Sequence, residues 1–424
     1  MSPHMMAPPR ARRAAASAVT LLAVLAALPA SAQAPVGSTG LTGSMDAPAT
    51  SPSLEQIAER CVRHRTGKAE VEGWRPTRAA HTRRIVANCG RWAADQVTAP
   101  VSGTSPAPVS TLPSQPSAGI FGPLSEFRRD ISTAPVASDS AAVVANVASQ
   151  VERYYGGVAA FNAWQYNVST YTVSPGLPRV DVIWDNCQGK SYLPGQLYDP
   201  ARGAHFKSVP IPDNAVPAKG TDAELTIYDP ATDQLWEFWK AARKADGWHA
   251  CWGGRIDKVS TSPGYFRDGM GVTAAGLSAA AGSIRIAEAK ARRIDHAMSL
   301  NVINAAHWSQ WSYPAQRSDG AEPLGKAGVV REGQRLRLDP RLDLSRLSLH
   351  PLTRAIAEAA QKYGFIVNDK GGAVALIPES GAGTAAVTGR DPWNDILAGT
   401  PGYAVLKNFP WRHLQALPVD YGKP

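Results

Sequence analysis

The segment from Thr221 to Gly254 places carboxylates, an imidazole and indoles in short runs of alternating polarity. Its first run, 222–228, alternates polar and apolar side chains; the turn 229–233 and a second run, 235–239, follow. Side chains on a strand point alternately to opposite faces, so one face packs while the other presents its polar groups. The pattern predicts a strand surface that carries acids and a phenol.

Three acids of this segment are candidate catalytic groups. Asp222 and Glu224 stand two residues apart on one predicted strand, which places them about 7 Å apart on one face, near the separation of paired carboxylates in glycoside hydrolysis. Glu237 lies between Trp236 and Phe238, where burial beside an indole would raise its carboxyl pKa and suit a general acid. The alternatives are a solvated polar face for the first two acids and a rim or arginine-paired glutamate for the third.

Indoles and an imidazole of the same segment are candidate substrate-binding groups. Trp239 and Trp252 could stack on sugar rings, since an indole offers a large flat apolar surface, although indoles are also common in cores. His249 lies in a third predicted strand run, 248–252, which contains Cys251 and ends in Gly253-Gly254. The sequence therefore predicts that rings and acids share one sheet.

Two further candidates lie later in the chain. His296 has the parity of its apolar neighbours, which is typical of a core histidine; on a groove it could instead remove a proton next to a uronate carboxylate, with Tyr265 or Tyr313. Arg317 opens the predicted loop 317–320 and could hold a carboxylate substituent of a substrate. A structural ion pair is the alternative for that arginine.

The N-terminal residues have the pattern of a secretory signal peptide. Arginines at 10, 12 and 13 precede an apolar run, and small residues at 30–32 form a cleavage site. The run is too short for a spanning helix, and no other stretch is apolar enough to cross a membrane. We expect a secreted protein without a membrane span, cleaved near Ala32. The formal charge would then fall from +9 to +6 with the loss of three arginines, a modest excess that is common in proteins without a charged partner.

Composition divides the remaining chain into four parts. Residues 33–52 are rich in Gly, Ser, Thr, Pro and Ala and are predicted to be disordered. Residues 53–97 show two helical periodicities and predict a basic hairpin, whereas 98–120 read as a Pro/Ser/Thr-rich linker. Residues 121–424 are numerous enough for a large core and form the predicted main domain.

The predicted hairpin carries an excess of four positive charges, nine Lys/Arg against five Asp/Glu between Leu54 and Val97. Such a surface could touch an anionic wall polymer or nucleic acid, or it is simply a solvated helical face. The chain has no helix-turn-helix or zinc-finger signature, and export further disfavours a nucleic-acid partner. We therefore expect no nucleic-acid partner.

An even number of cysteines in an oxidising compartment predicts two disulfides. Four cysteines allow three pairings, and the long low-complexity segment between them favours a local pairing within each half. The favoured pairs are Cys61–Cys89, which would link the hairpin, and Cys187–Cys251.

Motifs of other chemistries are missing from the sequence. It has no G-x-S-x-G elbow, P-loop or G-x-G-x-x-G run, so the sequence does not support an α/β-hydrolase or a nucleotide- or dinucleotide-binding protein. It has no C-x-x-C or H-x-x-x-H spacing either. We expect neither a metal nor a cofactor.

Short alternating runs without a regular βαβ rhythm predict a mainly β domain, an antiparallel β-sandwich of the jelly-roll or concanavalin-like kind. A helix is predicted over 138–155. A second helix is predicted to open at His350-Pro351, end at Gly364 and pack on the sandwich. Strands are predicted at 179–184, 293–303 and on both sides of the turn 369–372.

Several blocks of the main domain resemble a group of secreted bacterial proteins without an assigned biochemical role. The blocks are DNCQGK, LTIYDP, WEFW, WHACWGG, RIDHAM, GQRLRLDP, AQKYGFIVNDKGGAVA and LKNFPWRHLQ. The resemblance implies an exported sandwich domain and no particular mechanism. The chain lacks the E-x-D-x-x-E motif of sandwich glycosidases and the strand motifs of sandwich alginate lyases.

These observations lead to two hypotheses about function. The first is a secreted protein that binds a polysaccharide and cleaves it, as a glycoside hydrolase or a lyase. In it Asp222, Glu224, Glu237 and His296 are the catalytic candidates. The second is a non-catalytic cell-wall or glycan-binding protein, lectin-like or structural. The sequence does not specify the sugar or the oligomeric state.

Overall fold

A computed structural model describes residues 119–424 of the chain. The predicted signal peptide, disordered segment, basic hairpin and nearly all of the linker lie outside these residues, as does the predicted pair Cys61–Cys89. No helix within 119–424 is long and apolar enough to cross a bilayer.

The described residues form short strands that belong to three sheets. In chain order the strands are β1 Ala160–Phe161, β2 Ser169–Thr172, β3 Ile183–Trp184, β4 Leu225–Asp229, β5 Gln234–Trp239, β6 Ala242–Lys244, β7 Gly247–Ala250, β8 Trp252–Asp257, β9 Met298–Val302, β10 Arg335–Leu338, β11 Phe365–Lys370, β12 Ala375–Leu376 and β13 Leu414–Ala416.

All three sheets are mixed. The six-stranded sheet has the order β1-β12-β9-β11-β10-β13, with parallel pairs β1–β12 and β9–β11. The four-stranded sheet, β2-β4-β5-β8, has a parallel pair at β2–β4, and the three-stranded sheet, β3-β7-β6, has one at β3–β7. The prediction of a sheet-rich domain is confirmed. The prediction of purely antiparallel sheets is wrong, because strands distant in sequence pair in parallel at the edges and the centre.

Helices are few and mostly short. They are α1 Ser140–Arg153, α2 Ala279–Gly282, α3 Ile286–Ala291, α4 Pro351–Lys362, α5 Ala382–Thr388, α6 Trp393–Leu397 and α7 Gly402–Val405. Short 3-10 turns lie at Glu126–Arg128, Gly195–Leu197, Pro200–Arg202, Val259–Thr261, Leu344–Arg346 and Trp411–His413.

The two long helices form where the sequence predicts them. Valines at helical spacing bury one stripe of α1. At the start of α4, the ring Nδ1 of His350 accepts the backbone N–H of Leu352, and Pro351 occupies the first turn. Gly364 follows the helix with φ +73°, a left-handed conformation that glycine adopts without strain. The apolar stripe of α4 belongs to the large core of the six-stranded sheet.

A second core belongs mainly to the four-stranded sheet, and the short helix α2 lies between the two sheets. Ser278 and the first residues of α2 bind Glu237 of β5, while a Cβ on Gly282 at its other end would meet Ser299 of β9 within 2.1 Å. Ile366 of the six-stranded sheet packs in this second core. The two sheets therefore approach one another through α2.

The predicted run 248–252 does not form one strand. Trp248 and His249 lie on β7 in the three-stranded sheet, Trp252 begins β8 in the four-stranded sheet, and Cys251 stands between them. Cys251 is bonded to Cys187 with a Cα–Cα distance of 5.4 Å, so this predicted disulfide is confirmed. It lies in the main domain and fixes the loop after β3 to the junction of two sheets.

A buried carboxylate, Glu126, shows how this fold treats an internal charge. Its oxygens receive the guanidinium groups of Arg129 at 2.7 Å and Arg335 at 2.5 Å. The hydroxyl of Tyr313 donates a third hydrogen bond at 3.0 Å. Both Glu126 and Arg335 are almost completely buried, so each compensates the charge of the other.

Candidate active site

A pocket of about 540 Å³ opens where the four- and six-stranded sheets meet. Five residues proposed from the sequence line it: Asp222, Glu224, Trp239, Trp252 and Arg317. The structure adds polar residues from β9, from β11 and from two loops: Asn301, Asn368, Asp369, Lys370, Lys190 and Asp319. The pocket thus gathers residues that lie far apart in sequence.

Asp222 and Glu224 reach the pocket from a loop, not from a strand. Strand β4 begins only at Leu225, because Ala223 has φ +41° and interrupts the extended backbone. All five residues of β4 are buried, so the predicted open polar face is covered. The two acids still line one pocket, at the entry to the strand instead of along it.

Trp239 holds Asp222 in place. The indole Nε1 of Trp239 donates to Oδ1 of Asp222 at 3.1 Å, and the Nζ of Lys240 lies 4.5 Å from the centre of that indole. The backbone N–H of Lys240 also donates to the carbonyl of Asp222 at 2.7 Å. This ring and this acid are therefore positioned together.

Glu224 is a half-buried pocket acid whose carboxyl favours its protonated form. Burial raises the pKa of Glu224 well above its ordinary value. The nearby carboxyls of Glu237, Asp369 and Asp222 raise it further. A carboxyl whose pKa lies above its ordinary value has the property that a general acid requires.

A β-bulge brings Asn368 and Asp369 into the pocket. The register of β11 on β9 pairs Val367 with Leu300 and then Asp369 with Asn301, which leaves Asn368 as an extra residue. Oδ2 of Asp369 accepts the backbone N–H of Ala274 at 2.9 Å, and burial raises the pKa of Asp369 to about 7 against the effect of that bond.

A second acid pair lies behind the pocket wall. Glu332 is completely buried, and within residues 119–424 neither of its carboxyl oxygens has a donor in good hydrogen-bond geometry. Its neighbour is Asp319, another carboxyl, with which it can hydrogen-bond only when one of the two is protonated. Burial first and Asp319 second raise the pKa of Glu332. On the pocket side, Asp319 lies 3.8 Å from Nζ of Lys370.

Arg317 builds the pocket wall through its contacts with backbone carbonyls. Its guanidinium donates to the carbonyls of Gly269, Ala274, Gly271 and Thr273, the last two at 3.1 and 2.9 Å. The loop 269–274 is therefore held by one side chain. The substrate carboxylate predicted for Arg317 would have to compete with these bonds.

The adjacent glycines of β8 allow that loop to approach. A Cβ on Gly254 would lie 2.6 Å from the ring of Phe266 and 2.9 Å from the backbone nitrogen of Gly271. Gly271 in turn donates its N–H to the carbonyl of Gly253 at 3.1 Å. Gly254 is thus explained by close contact with the pocket loop, whereas a Cβ on Gly253 would lie 2.3 Å from the carbonyl oxygen of Glu237 on β5.

Trp252 and Lys190 form the opposite rim. The indole N–H of Trp252 donates to the carbonyl of Gly269 at 3.1 Å, and Nζ of Lys190 lies 5.2 Å from the ring centre. Lys190 belongs to the loop that the 187–251 disulfide fixes. One face of this indole is consequently occupied by a cation.

Glu237 lies beneath the pocket and is not among its lining residues. Its carboxylate accepts the hydroxyl of Ser278 at 2.6 Å and the backbone N–H groups of Ala279 and Ala280 at 3.1 and 3.0 Å. Burial raises the pKa of Glu237 to about 7, and these three donors only partly oppose the shift. Ala279 lines the pocket, so Glu237 supports the site from below.

The two histidine candidates lie elsewhere. His249 bridges Asp185 and Asp246 at 2.9 Å each; burial alone would lower its pKa, but the two carboxylates raise it above the ordinary value. His296 is buried and bonds Glu288 at 3.0 Å and the carbonyl of Ala297 at 2.8 Å. Neither residue is among those lining the pocket.

Sequence reasoning missed the contributions of Asn368, Asp369 and Asp319. It assigned Asp369 to a turn, whereas the residue ends a buried strand just after a bulge. The available signal was the sudden change from Phe365-Ile366-Val367 to polar residues. Period-2 alternation cannot reveal a bulge, because the extra residue shifts the parity of everything that follows it.

Comparison of the chain with protein-family models, with curated proteins and with solved structures finds no match. Within residues 119–424, no group of three or more His, Cys, Asp or Glu side chains is arranged to hold a metal ion.

Proposed function

We propose that this protein is a secreted enzyme that binds a polysaccharide in the pocket and hydrolyses its glycosidic bonds. The observation that carries the proposal is the convergence of Asp222, Glu224 and Asp369 with two indoles around one open pocket. Paired carboxyl groups with different proton affinities are the machinery of glycoside hydrolysis.

The roles follow from the surroundings of each carboxyl. Glu224, with its raised pKa, would protonate the leaving-group oxygen as the general acid. Asp222, which accepts an indole N–H, would act from the other side of the bond as base or nucleophile. Asp369 raises the pKa of Glu224 and would keep that acid protonated. Trp239 and Trp252 would contact the sugar rings.

Hydrolysis fits the pocket better than lyase chemistry does. A lyase needs a base next to the uronate carbon, and the candidates for that role were His296 with Tyr265 or Tyr313. Burial raises the pKa of Tyr313, whose hydroxyl donates to Glu126 in the core. None of these three residues lines the pocket.

Export and a sandwich-like arrangement of sheets are parts of the same proposal. The 187–251 disulfide supports an oxidising compartment. The approach of the two larger sheets through α2 supports a sandwich built from mixed sheets.

The proposal is tested by incubating the full chain with a panel of soluble oligosaccharides and measuring both binding and new reducing ends. We expect product from wild type and from the exposed-acid control Asp213→Asn, and none from the double variant Asp222→Asn, Glu224→Gln. Binding without product by wild type would favour the non-catalytic alternative. Absence of both binding and product would refute the proposal.

A further inference from the structure

The pocket wall formed by Asp222, Glu224 and Asp369 lacks a counter-ion. Within the described residues, no side-chain nitrogen of Lys or Arg lies within 4.0 Å of any of these carboxyl groups, whereas Asp319 has Nζ of Lys370 at 3.8 Å. The pocket's other cations are engaged: Arg317 on the carbonyls of its loop and Lys190 on an indole face. The acids of this wall are thus left without a cationic partner inside the cavity.

Two amide oxygens beside this wall lack donors. Asn368 is only 3 % exposed; its Nδ2 donates to the Ser299 hydroxyl at 3.0 Å, but its Oδ1 has no partner. Oδ1 of Asn301 is likewise unpartnered, and Asn301 pairs with Asp369 across the β9–β11 ladder. Both residues line the pocket. A buried acceptor without a donor is costly, so these oxygens mark where a ligand's donors belong.

We infer that the saccharide bound in this pocket carries a free amino group, protonated to an ammonium, as in a polymer of glucosamine. An ammonium offers three donors and no acceptor, which matches a wall of carboxylates and amide oxygens. It would also supply the missing positive charge. The inference rests on the proposed function and specifies its substrate class.

Other sugars fit the wall less well. A neutral hexose would satisfy amide oxygens with its hydroxyl groups but would leave the carboxylates uncompensated. An N-acetylated sugar replaces the charge by an amide with one donor. A uronate would add a negative charge to three uncompensated acids and is disfavoured by repulsion.

The test compares the affinities of full-length protein for hexamers of glucosamine, N-acetylglucosamine and glucose, by calorimetry at pH 6. We expect the glucosamine hexamer to bind at least about tenfold more tightly than either of the other two, the effect of one charge-assisted hydrogen bond. Equal or tighter binding of a neutral hexamer would overturn the inference while leaving the proposed function intact. If no hexamer or other glycan binds, the proposed function itself fails.

Variants locate the ammonium. Asn301→Ala, at a half-buried position, should reduce the preference for glucosamine over glucose by about tenfold, whereas the exposed control Asn214→Ala should not change it. Asp222→Asn should also reduce the preference. An unchanged preference in both pocket variants would overturn the assignment. So would tight binding of the glucose hexamer that appears only when calcium is added, because a metal would then be the missing cation.

Discussion

Glu126 and the pocket acids are buried carboxyls that the fold treats in opposite ways. Glu126 has two arginines and a tyrosine hydroxyl around it. Within residues 119–424, no Lys or Arg side chain lies at ion-pair distance from Glu224 or Asp369. Burial raises the pKa of each, and carboxyl neighbours raise it further. A compensated charge is typical of structure, whereas an uncompensated group in an open cavity is typical of a functional site. We therefore expect Glu126 and its arginines to stabilise the fold, and the pocket acids to take part in the chemistry.

Removing the compensated charge should have the largest effect on folding. Glu126→Gln leaves Arg335 buried without its counter-ion, so we expect the free energy of unfolding to fall by about 3–5 kcal/mol, measured by urea denaturation. The matched control Glu152→Gln breaks an exposed pair with Arg412 and should change it by less than about 1 kcal/mol. An equal loss of unfolding free energy in Glu126→Gln and Glu152→Gln would show that the buried ion pair is no more important for stability than the exposed one.

Glu237 should make stability depend on pH. Its pKa of about 7 in the folded protein exceeds that of an unfolded glutamate, near 4.5, so the folded state holds the proton more tightly. Its contribution is fully present below pH 4.5 and is lost as pH rises to 7, by about 3 kcal/mol. We therefore expect Glu237→Gln to lose less stability than wild type between pH 5 and 7.5. A wild-type slope retained in Glu237→Gln would contradict this assignment.

Asp369 should affect the pKa of Glu224, the proposed general acid. Its charge raises the pKa of Glu224, so Asp369→Asn should lower that pKa and move the alkaline limb of the pH–activity profile to lower pH. The control Asp213→Asn changes an exposed acid that does not line the pocket and should leave the profile unchanged. A limb that stays in place, or moves up, would show that Asp369 does not act through Glu224.

Loss of a stacking ring should have the smallest effect. Trp252→Ala removes an indole from the pocket rim, and we expect KM for the glycan to rise by about two- to tenfold with kcat little changed, the scale of one aromatic contact. Trp252→Phe should recover most of the affinity. A fall in kcat with KM unchanged would place Trp252 in the chemical step instead.

The sequence predicted the pieces of the site better than their arrangement. Asp222, Glu224 and Trp239 meet in one pocket because they flank the open end of the hairpin of β4 and β5, whose alternation was visible. Trp252 joins them because it pairs with Trp239 from the adjacent strand β8. The left-handed conformation of Ala223, which delays the start of β4, could not be predicted, since alanine gives no warning of a positive φ. The two long helices could be predicted from the spacing of their apolar residues. The order of strands in the mixed sheets could not, because it depends on contacts between residues distant in sequence.

Glu237 shows the limit of local reasoning most clearly. Its neighbours correctly indicated burial and a raised pKa, yet the donors that surround it come from 278–280, about forty residues away. The same features fit a catalytic acid and a buried support. Only the position of α2, whose backbone N–H groups bind the carboxylate of Glu237, distinguishes a buried support from a catalytic acid.

The role of Glu224 as the general acid is tested most directly by the rate at which Glu224→Gln cleaves a glycan that wild type cleaves. The free energy of unfolding of the variant is measured alongside. Loss of the general acid should slow cleavage by about 10²–10⁴-fold, while stability stays equal or rises because an uncompensated carboxyl is removed. A cleavage rate within about twofold of wild type would show that Glu224 is not the general acid.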